Sequence, residues 1–275
     1  MRSLGHAGPP AASGSGGAVV ANFAAYSLAI AEVEVRKLLR DPTEIFTRSV
    51  QPTLWLVIFG QVFARTRAIP TGSMSYLDFM TPGVLAQSVL FTAIFYGIAI
   101  IWERDLGILQ KMLVTPAYRG ALVLGKAASA GARGVAQTVI IYVLALVMGI
   151  HLRFGVGPIA GVLVAVLLGS AVFSTFSLVV ACIVKTRERF MGIGQILTMP
   201  LFFASNAIYP IDMMPDWLKT VARVNPLTYL VDALRSLMVE GGASVFGLGV
   251  DLTVQLAALV ALVLVAARLY PSVAA

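Results

Sequence analysis

Glu103–Lys126, ERDLGILQKMLVTPAYRGALVLGK, is the longest charge-bearing passage in a chain otherwise built of apolar segments. It opens on Glu103, Arg104 and Asp105, carries Lys111 and Arg119, and closes on Lys126. Proline disfavours helix in the residue before it, so Thr115-Pro116 marks a break. Long apolar runs flank the passage on both sides, which puts it outside a bilayer while tying it to two membrane segments. Its last third approaches a nucleotide-binding loop, since Gly120-Ala-Leu-Val-Leu-Gly125-Lys126-Ala127 fits G-x-x-x-x-G-K. The residue after that lysine must be Ser or Thr to hold magnesium, and here it is Ala127. No β-rich run precedes the motif and a membrane helix follows it, so it does not read as a phosphate loop.

Composition sets the class. The 275 residues are 59% hydrophobic and only 12% charged, with a mean hydropathy of +0.89. Soluble domains carry roughly a quarter charged residues, so the chain reads as an all-α integral membrane protein. The net charge of +7 marks cytoplasmic loops rather than nucleic-acid binding. The one cysteine, Cys182, lies inside an apolar run and suits packing; one cysteine also precludes an internal disulfide. His6 and His151 are isolated, so no metal cluster is indicated.

Residues 1–18 are rich in Gly, Ser, Ala and Pro without an apolar core, which reads as a disordered tail rather than a signal peptide. From about 23 to 39, Phe23, Tyr26, Ile30 and Val33 recur among charged residues, as in an amphipathic helix lying in the membrane surface. Asp41-Pro42 ends it. Six apolar segments follow at about 46–65, 79–102, 131–150, 159–184, 190–210 and 247–267, each near the ~20 residues a bilayer core demands. With a cytoplasmic amino terminus, 14 of the 20 Lys and Arg residues fall inside and 6 outside. That bias places both termini and the Glu103–Lys126 passage in the cytoplasm of a multi-pass cell-membrane protein.

Between the fifth and sixth segments, Pro215 and Pro226 each sit where a first helical turn tolerates proline, the second directly after the N-capping Asn225. Leu230, Val231, Leu234, Leu237 and Met238 then form a helical stripe that Gly241-Gly242 ends. Two short amphipathic helices are expected here at the outer face. Asp232 and Arg235 lie three apart on the second, close enough to pair.

The cores of all six segments lack Asp, Glu, Lys, Arg and His; Asp78 and Asp251 fall at outer ends. Intramembrane charges serve proton relays and ion sites, so their absence argues against a proton- or sodium-driven carrier. It argues equally against an intramembrane hydrolase. The polar groups left inside are Gln61, Gln87, Gln137, Gln195, Asn206 and Gln255, residues that commonly bond between helices. Gln87, Phe95, Tyr96, Gln195 and Asn206 are candidates to line a substrate path, with Tyr142 an aromatic of interest.

The run Glu103-Arg104-Asp105-x-Gly107, Leu109, Lys111-Met112-Leu113-Val114-Thr115-Pro116 and Leu124-Gly125-Lys126 resembles the signature loop of ABC-2 type transporter permeases, the daunorubicin- and nodulation-factor-exporter permeases among them. Leu39-Arg40-Asp41-Pro42, Phe79-Met80-x-Pro82-Gly83 and Asn225-Pro226-Leu227-x-Tyr229 with Ala233-Leu234-Arg235 extend the likeness over about residues 20 to 270; residues 1–18 have no counterpart. The resemblance implies an ABC-2 transmembrane domain over 19–275: an exporter permease that binds no cofactor itself and pairs with a second permease, usually its own copy. Two copies of an ABC ATPase subunit, carrying ATP and magnesium, would dock on it. Glu103, Arg104, Asp105, Gly107, Lys111, Pro116, Gly125 and Lys126 would then couple to the ATPase. Asn225, Pro226, Tyr229, Asp232 and Arg235 would belong to an outer gate. The uncharged cores favour a lipophilic or amphipathic substrate such as a drug or lipid. A polysaccharide or lipid-linked glycan, or a non-transporting membrane scaffold, is the alternative.

Overall fold

The computed structural model of the protein describes residues 42–106, 119–184 and 186–269. The tail at 1–18, the interfacial helix at 23–39, and Gly107, Lys111 and Pro116 lie outside the described residues. Helix α1 (Pro42–Leu54) runs through a π-helical turn (Trp55–Gly60) into α2 (Gln61–Thr66). Then come α3 (Tyr76–Asp105), α4 (Arg119–Val147), α5 (Val156–Ile183) and α6 (Arg187–Phe203). Two short helices, α7 (Asp216–Val224) and α8 (Pro226–Met238), precede α9 (Leu248–Leu269). The described residues form no sheet; one antiparallel bridge joins Leu152 to Val239.

Among the described residues, four helical segments are long and apolar enough to cross a membrane: Tyr76–Ile94, Ala130–Val147, Val156–Ile183 and Leu248–Leu269. They correspond to four of the six expected segments. The other two differ for local reasons. Residues 46–65 are helical, but Pro52 and the π turn divide them. Helix α6 stops at Phe203 after 17 residues, Pro200 lies in its last turn, and residues 204–210 are turn rather than span.

Helix α5 is the centre of the bundle and packs against α3, α4, α8 and α9. Its small residues set how closely its neighbours approach, as is usual where helices meet in lipid. Leu230 of α8 reaches to the bare face of Gly169, and Leu237 to that of Gly161, where an added Cβ would lie 2.6 and 2.7 Å from a leucine methyl. Against α3, Ser177 donates its hydroxyl to the Ile94 carbonyl at 2.6 Å and accepts from the Gly97 amide at 3.0 Å. Near the Asp105 end of α3, Ile101 packs with Ala181, Val184 and Phe190, while the Arg187 guanidinium lies 3.7 Å over the Trp102 ring.

The sequence places a break and then a span from 131; the structure starts α4 at Arg119. Gly120–Ala127 is therefore helical. A phosphate loop needs amides turned inward by an irregular, glycine-rich backbone, and a helix commits its amides along its own axis.

The opposite end of the bundle is closed by a tight backbone contact. A Cβ on Gly83 would sit 2.4 Å from the Ala207 carbonyl oxygen and 2.7 Å from its Cα. Backbone cannot step aside as a side chain can, so α3 and the 204–207 turn meet only because residue 83 is glycine. Gly83→Ala should cost about 1–3 kcal/mol through overpacking, read as a lowered thermal midpoint in detergent. Gly157→Ala, where nothing lies within 4 Å, is the control. Equal midpoints for the two variants would contradict this packing.

Candidate functional site

Helix α8 begins where its sequence says it should. Asn225 accepts a hydrogen bond from the Leu227 amide at 3.0 Å, and Pro226 fills the first helical position. The other edge of the Asn225 amide donates to the carbonyls of Leu201 (2.7 Å) and Ala204 (3.2 Å). One side chain thus caps α8 and satisfies the end of α6. Tyr229 donates its hydroxyl to the Arg223 carbonyl at 2.6 Å, which fixes α7 against α8. Gln255 of α9 donates to the Pro226 carbonyl.

Helix α8, the second of the two short helices expected after the fifth segment, lies deeper than a surface amphipathic helix would. Ten of its residues are buried, Asp232 and Arg235 among them, so it is a core element flanked by α3, α5 and α9. Helix α7 keeps an exposed face, with Trp217, Val221 and Val224 open. The physical reason lies in how the two charges of α8 are satisfied.

Asp232 is 0% exposed and Arg235 4% exposed. The Arg235 Nη2 donates to the carbonyls of Asn206 (2.7 Å) and Phe79 (3.3 Å), and Nε donates to Phe79 (3.4 Å). Its guanidinium plane lies 3.9 Å over the Phe79 ring. Nη1 is 3.9 Å from Asp232 Oδ1, an ion pair without a direct hydrogen bond. The Asp232 Oδ2 accepts from the Val245 amide (2.6 Å), the Ser244 hydroxyl (2.9 Å) and the Phe246 amide (3.1 Å). Its Oδ1 accepts from Asn206 Nδ2 at 3.3 Å. Burial pulls the Arg235 guanidinium down to about 10, with the Asp232 carboxylate opposing the fall, so the side chain stays cationic at neutral pH.

Ser244 extends this network to α9. Its Oγ lies 2.8 Å from Asp251 Oδ2 as well as beside Asp232, and it accepts from the Gly247 amide. A hydroxyl has one proton, so it serves one carboxyl group at a time. A cavity of about 420 Å³ opens beside the cluster, lined by Phe79, Asn206, Arg223, Arg235 and Phe246 among others. Asp78 is buried close by at the start of α3; its Oδ1 accepts from the His151 amide at 3.1 Å, and its Oδ2 lies 3.2 Å from His151 Nδ1.

The sequence candidates therefore separate into four places. Asn225, Pro226, Tyr229, Asp232 and Arg235 converge with Asn206 at the Tyr76 end of the bundle. Gln87 lies elsewhere, buried on α3 beside a second cavity between α1 and α3, and Gln195 is exposed on α6. For Glu103, Arg104, Asp105, Gly125 and Lys126 the structure describes the backbone: the first three end α3, and the last two lie on α4. The side chains of Phe95 and Tyr96 lie outside what is described. Sequence reading missed Ser244, a lone serine in a loop whose two carboxyl partners are distant in sequence. It noted Phe79 only within a motif, since nothing local announces that a ring will carry a guanidinium.

Helices long and apolar enough to cross a bilayer, with the buried charges of the described residues gathered at one end, mark a membrane protein. The chain belongs to the ABC-2 type transporter family, which it matches over residues 27–239. It is 29% identical over 203 residues to the "Putative transport permease ycf38" of Cyanophora paradoxa, covering 73% of this chain and 70% of that one. It is 25% identical over 215 residues to the "Daunorubicin resistance ABC transporter permease protein DrrB1" of Streptomyces coeruleorubidus, covering 78% and 75%. With "Nodulation protein J" of Rhizobium leguminosarum bv. trifolii it shares 28% over 173 residues, covering 61% and 63%.

Burial decides what each ion pair contributes. Asp216 and Lys219 share the i,i+3 spacing of Asp232 and Arg235 and are closer, at 3.5 Å, yet Asp216 is fully exposed. Asp232→Ala should destabilise by about 3–5 kcal/mol because it strands a buried guanidinium and two loop amides. Asp216→Ala should leave the unfolding midpoint unchanged. Equal midpoints for the two variants would show that the α8 charges are hydrated rather than buried.

Proposed function

We propose that the chain is the membrane-spanning subunit of an ATP-driven exporter, working with a separate ABC ATPase that carries ATP and magnesium. Two ATPase copies serve a pair of permeases, the second being a copy of this chain. In this arrangement residues 42–66 and α6 also cross the bilayer, completing six spans. Their exposed Leu54, Ile58 and Val62, and Met191, Ile196 and Phe203, then face lipid or the second permease. The 14-to-6 distribution of Lys and Arg supports cytoplasmic termini and puts the Asp232–Arg235 cluster at the outer face, where it would act as the gate. The uncharged span cores support a lipophilic or amphipathic substrate.

One observation carries the coupling role. Helix α3 is unbroken for 30 residues, from Tyr76 to Asp105. At 1.5 Å per residue that is about 45 Å, against a hydrocarbon core of about 30 Å. With its Tyr76 end held at the outer face, its last turn projects into the cytoplasm carrying Glu103, Arg104 and Asp105. Helix α4, 29 residues long, supplies Lys126 on the returning arm. A push on the connecting passage would then meet two long helices that reach across the membrane; α3 carries Pro82, a point of bending, less than one turn from Phe79, whose ring lies under the Arg235 guanidinium. That supports transmission of an ATPase stroke from the cytoplasmic passage to the gate.

Glu103→Ala tests this. Reconstituted with its ATPase, the variant should insert and assemble normally, export at roughly a tenth of the normal rate or less, and leave ATP hydrolysis unresponsive to substrate. Normal export with normal stimulation would make Glu103 a membrane-edge anchor and remove the coupling role from the end of α3.

A further inference from the structure

The cavity between α1 and the middle of α3 has no part in the gate or in coupling. It encloses about 220 Å³ and is lined by Gln51, Pro52, Gln87, Ser88, Phe91 and Thr92, together with Thr47. None of these side chains is ionisable. Gln87 is 2% exposed, and its Oε1 has no hydrogen-bond partner among the described residues. Ser88 donates its hydroxyl to the Val84 carbonyl one turn back at 2.8 Å, leaving its lone pairs able to accept. The α3 side of the site lies within Tyr76–Ile94, a segment long and apolar enough to cross a membrane.

We propose that this cavity binds the neutral, hydroxyl-bearing ring or headgroup of an amphipathic molecule. This deepens the exporter reading, on which it rests only for calling that molecule the substrate. The Gln87 amide oxygen is buried and unpartnered, and a turn of this cavity-lining side chain would bring it to a hydroxyl donor, while the amide NH2 can donate to the same hydroxyl. A charged headgroup would enter a site with no counter-ion and lose its hydration. Whole drug-sized ligands occupy about 300–1,000 Å³, so 220 Å³ takes a ring-sized portion and leaves the rest outside. The remainder has an apolar path along α1 and the π turn, where Leu54, Val57 and Ile58 are exposed. Phe91 offers its ring to the apolar face of a sugar or cyclohexanol-like group.

The test uses the full chain in phosphatidylcholine nanodiscs with no ATPase present. The probe is octyl glucoside bearing a photoreactive diazirine, with octyl sulfate and octyltrimethylammonium as charged competitors on the same tail. Saturable labelling is expected in peptides covering 47–54 and 84–92, displaced by plain octyl glucoside and not by the charged compounds. Gln87→Leu should weaken binding about tenfold, the loss of one hydrogen bond. Gln137→Leu, a buried amide on α4, should leave binding unchanged. If Gln87→Leu does not fold, Thr92→Val is read in its place, with a loss of about three- to tenfold. Labelling that never saturates, equal displacement by charged competitors, or unaltered binding in a folded Gln87 variant overturns the site. Specific binding without export on reconstitution overturns the exporter reading alone, and export without binding overturns the site alone.

Discussion

A guanidinium taken out of water is the constraint on which the Tyr76 end of the molecule depends. Arg235 is tolerated inside the protein because its donors meet two carbonyls and its flat face meets the Phe79 ring. Asp232 is tolerated because two loop amides, a hydroxyl and an amide side chain point at it. Losing either charge would leave the other buried with its hydrogen bonds but without its counter-charge, a larger cost than an exposed pair on this chain would incur. The cluster joins α3, the turn after α6, α8 and the loop into α9. These elements pack through apolar side chains as well, but apolar contact gives little preference between protein and lipid, so the hydrogen bonds and charges add the specificity of the arrangement.

That arrangement explains why a helix of 13 residues sits at the heart of a membrane protein. Helix α8 is too short to cross a bilayer, and its charges would be costly in lipid. Packed among α3, α5 and α9, it exposes neither its ends nor its charges. Glycines make the fit possible: Gly169 and Gly161 admit Leu230 and Leu237, and Gly242 passes so close to the Arg235 carbonyl that a Cβ would lie 2.1 Å from it. In the proposed exporter, movement at the cytoplasmic ends of α3 and α4 would reach this cluster through α3 itself. A satisfied polar cluster suits such a role because it has one low-energy geometry and resists partial displacement.

What the sequence made legible is local. Asn225 as a cap, Pro226 at the first helical position, the stripe from Leu230 to Met238 and the glycine stop at Gly241, which has a φ of +73°, depend on neighbours within a few residues. The four apolar crossing segments were legible for the same reason. The burial of α8 was not, because Asp232 and Arg235 are satisfied by partners as remote as Phe79, 156 residues from Arg235. A helical stripe beside two charges suggests a wet face; here that face is dry because the partners come from elsewhere in the chain. The helical start of α4 was hidden by Lys126 and Arg133, which push an apolar-segment reading towards 131. The π turn at Trp55–Gly60 leaves no mark in composition. Among the path candidates, the sequence identified Gln87, Gln195 and Asn206 as polar, but chemistry alone did not separate the first into a cavity, the second onto a surface and the third into the charge cluster.

The central claim is that Asp232 and Arg235 act as one buried unit, and a double-mutant cycle measures it most directly. Unfolding free energies would be determined in a fixed detergent for Asp232→Asn, Arg235→Met and the double variant. The structure predicts that each single change is severe and that the double variant is less damaging than their sum by about 2 kcal/mol or more, because neither charge is then left stranded. Losses that add to within about 0.5 kcal/mol would mean that the two side chains are independent, and would contradict the account.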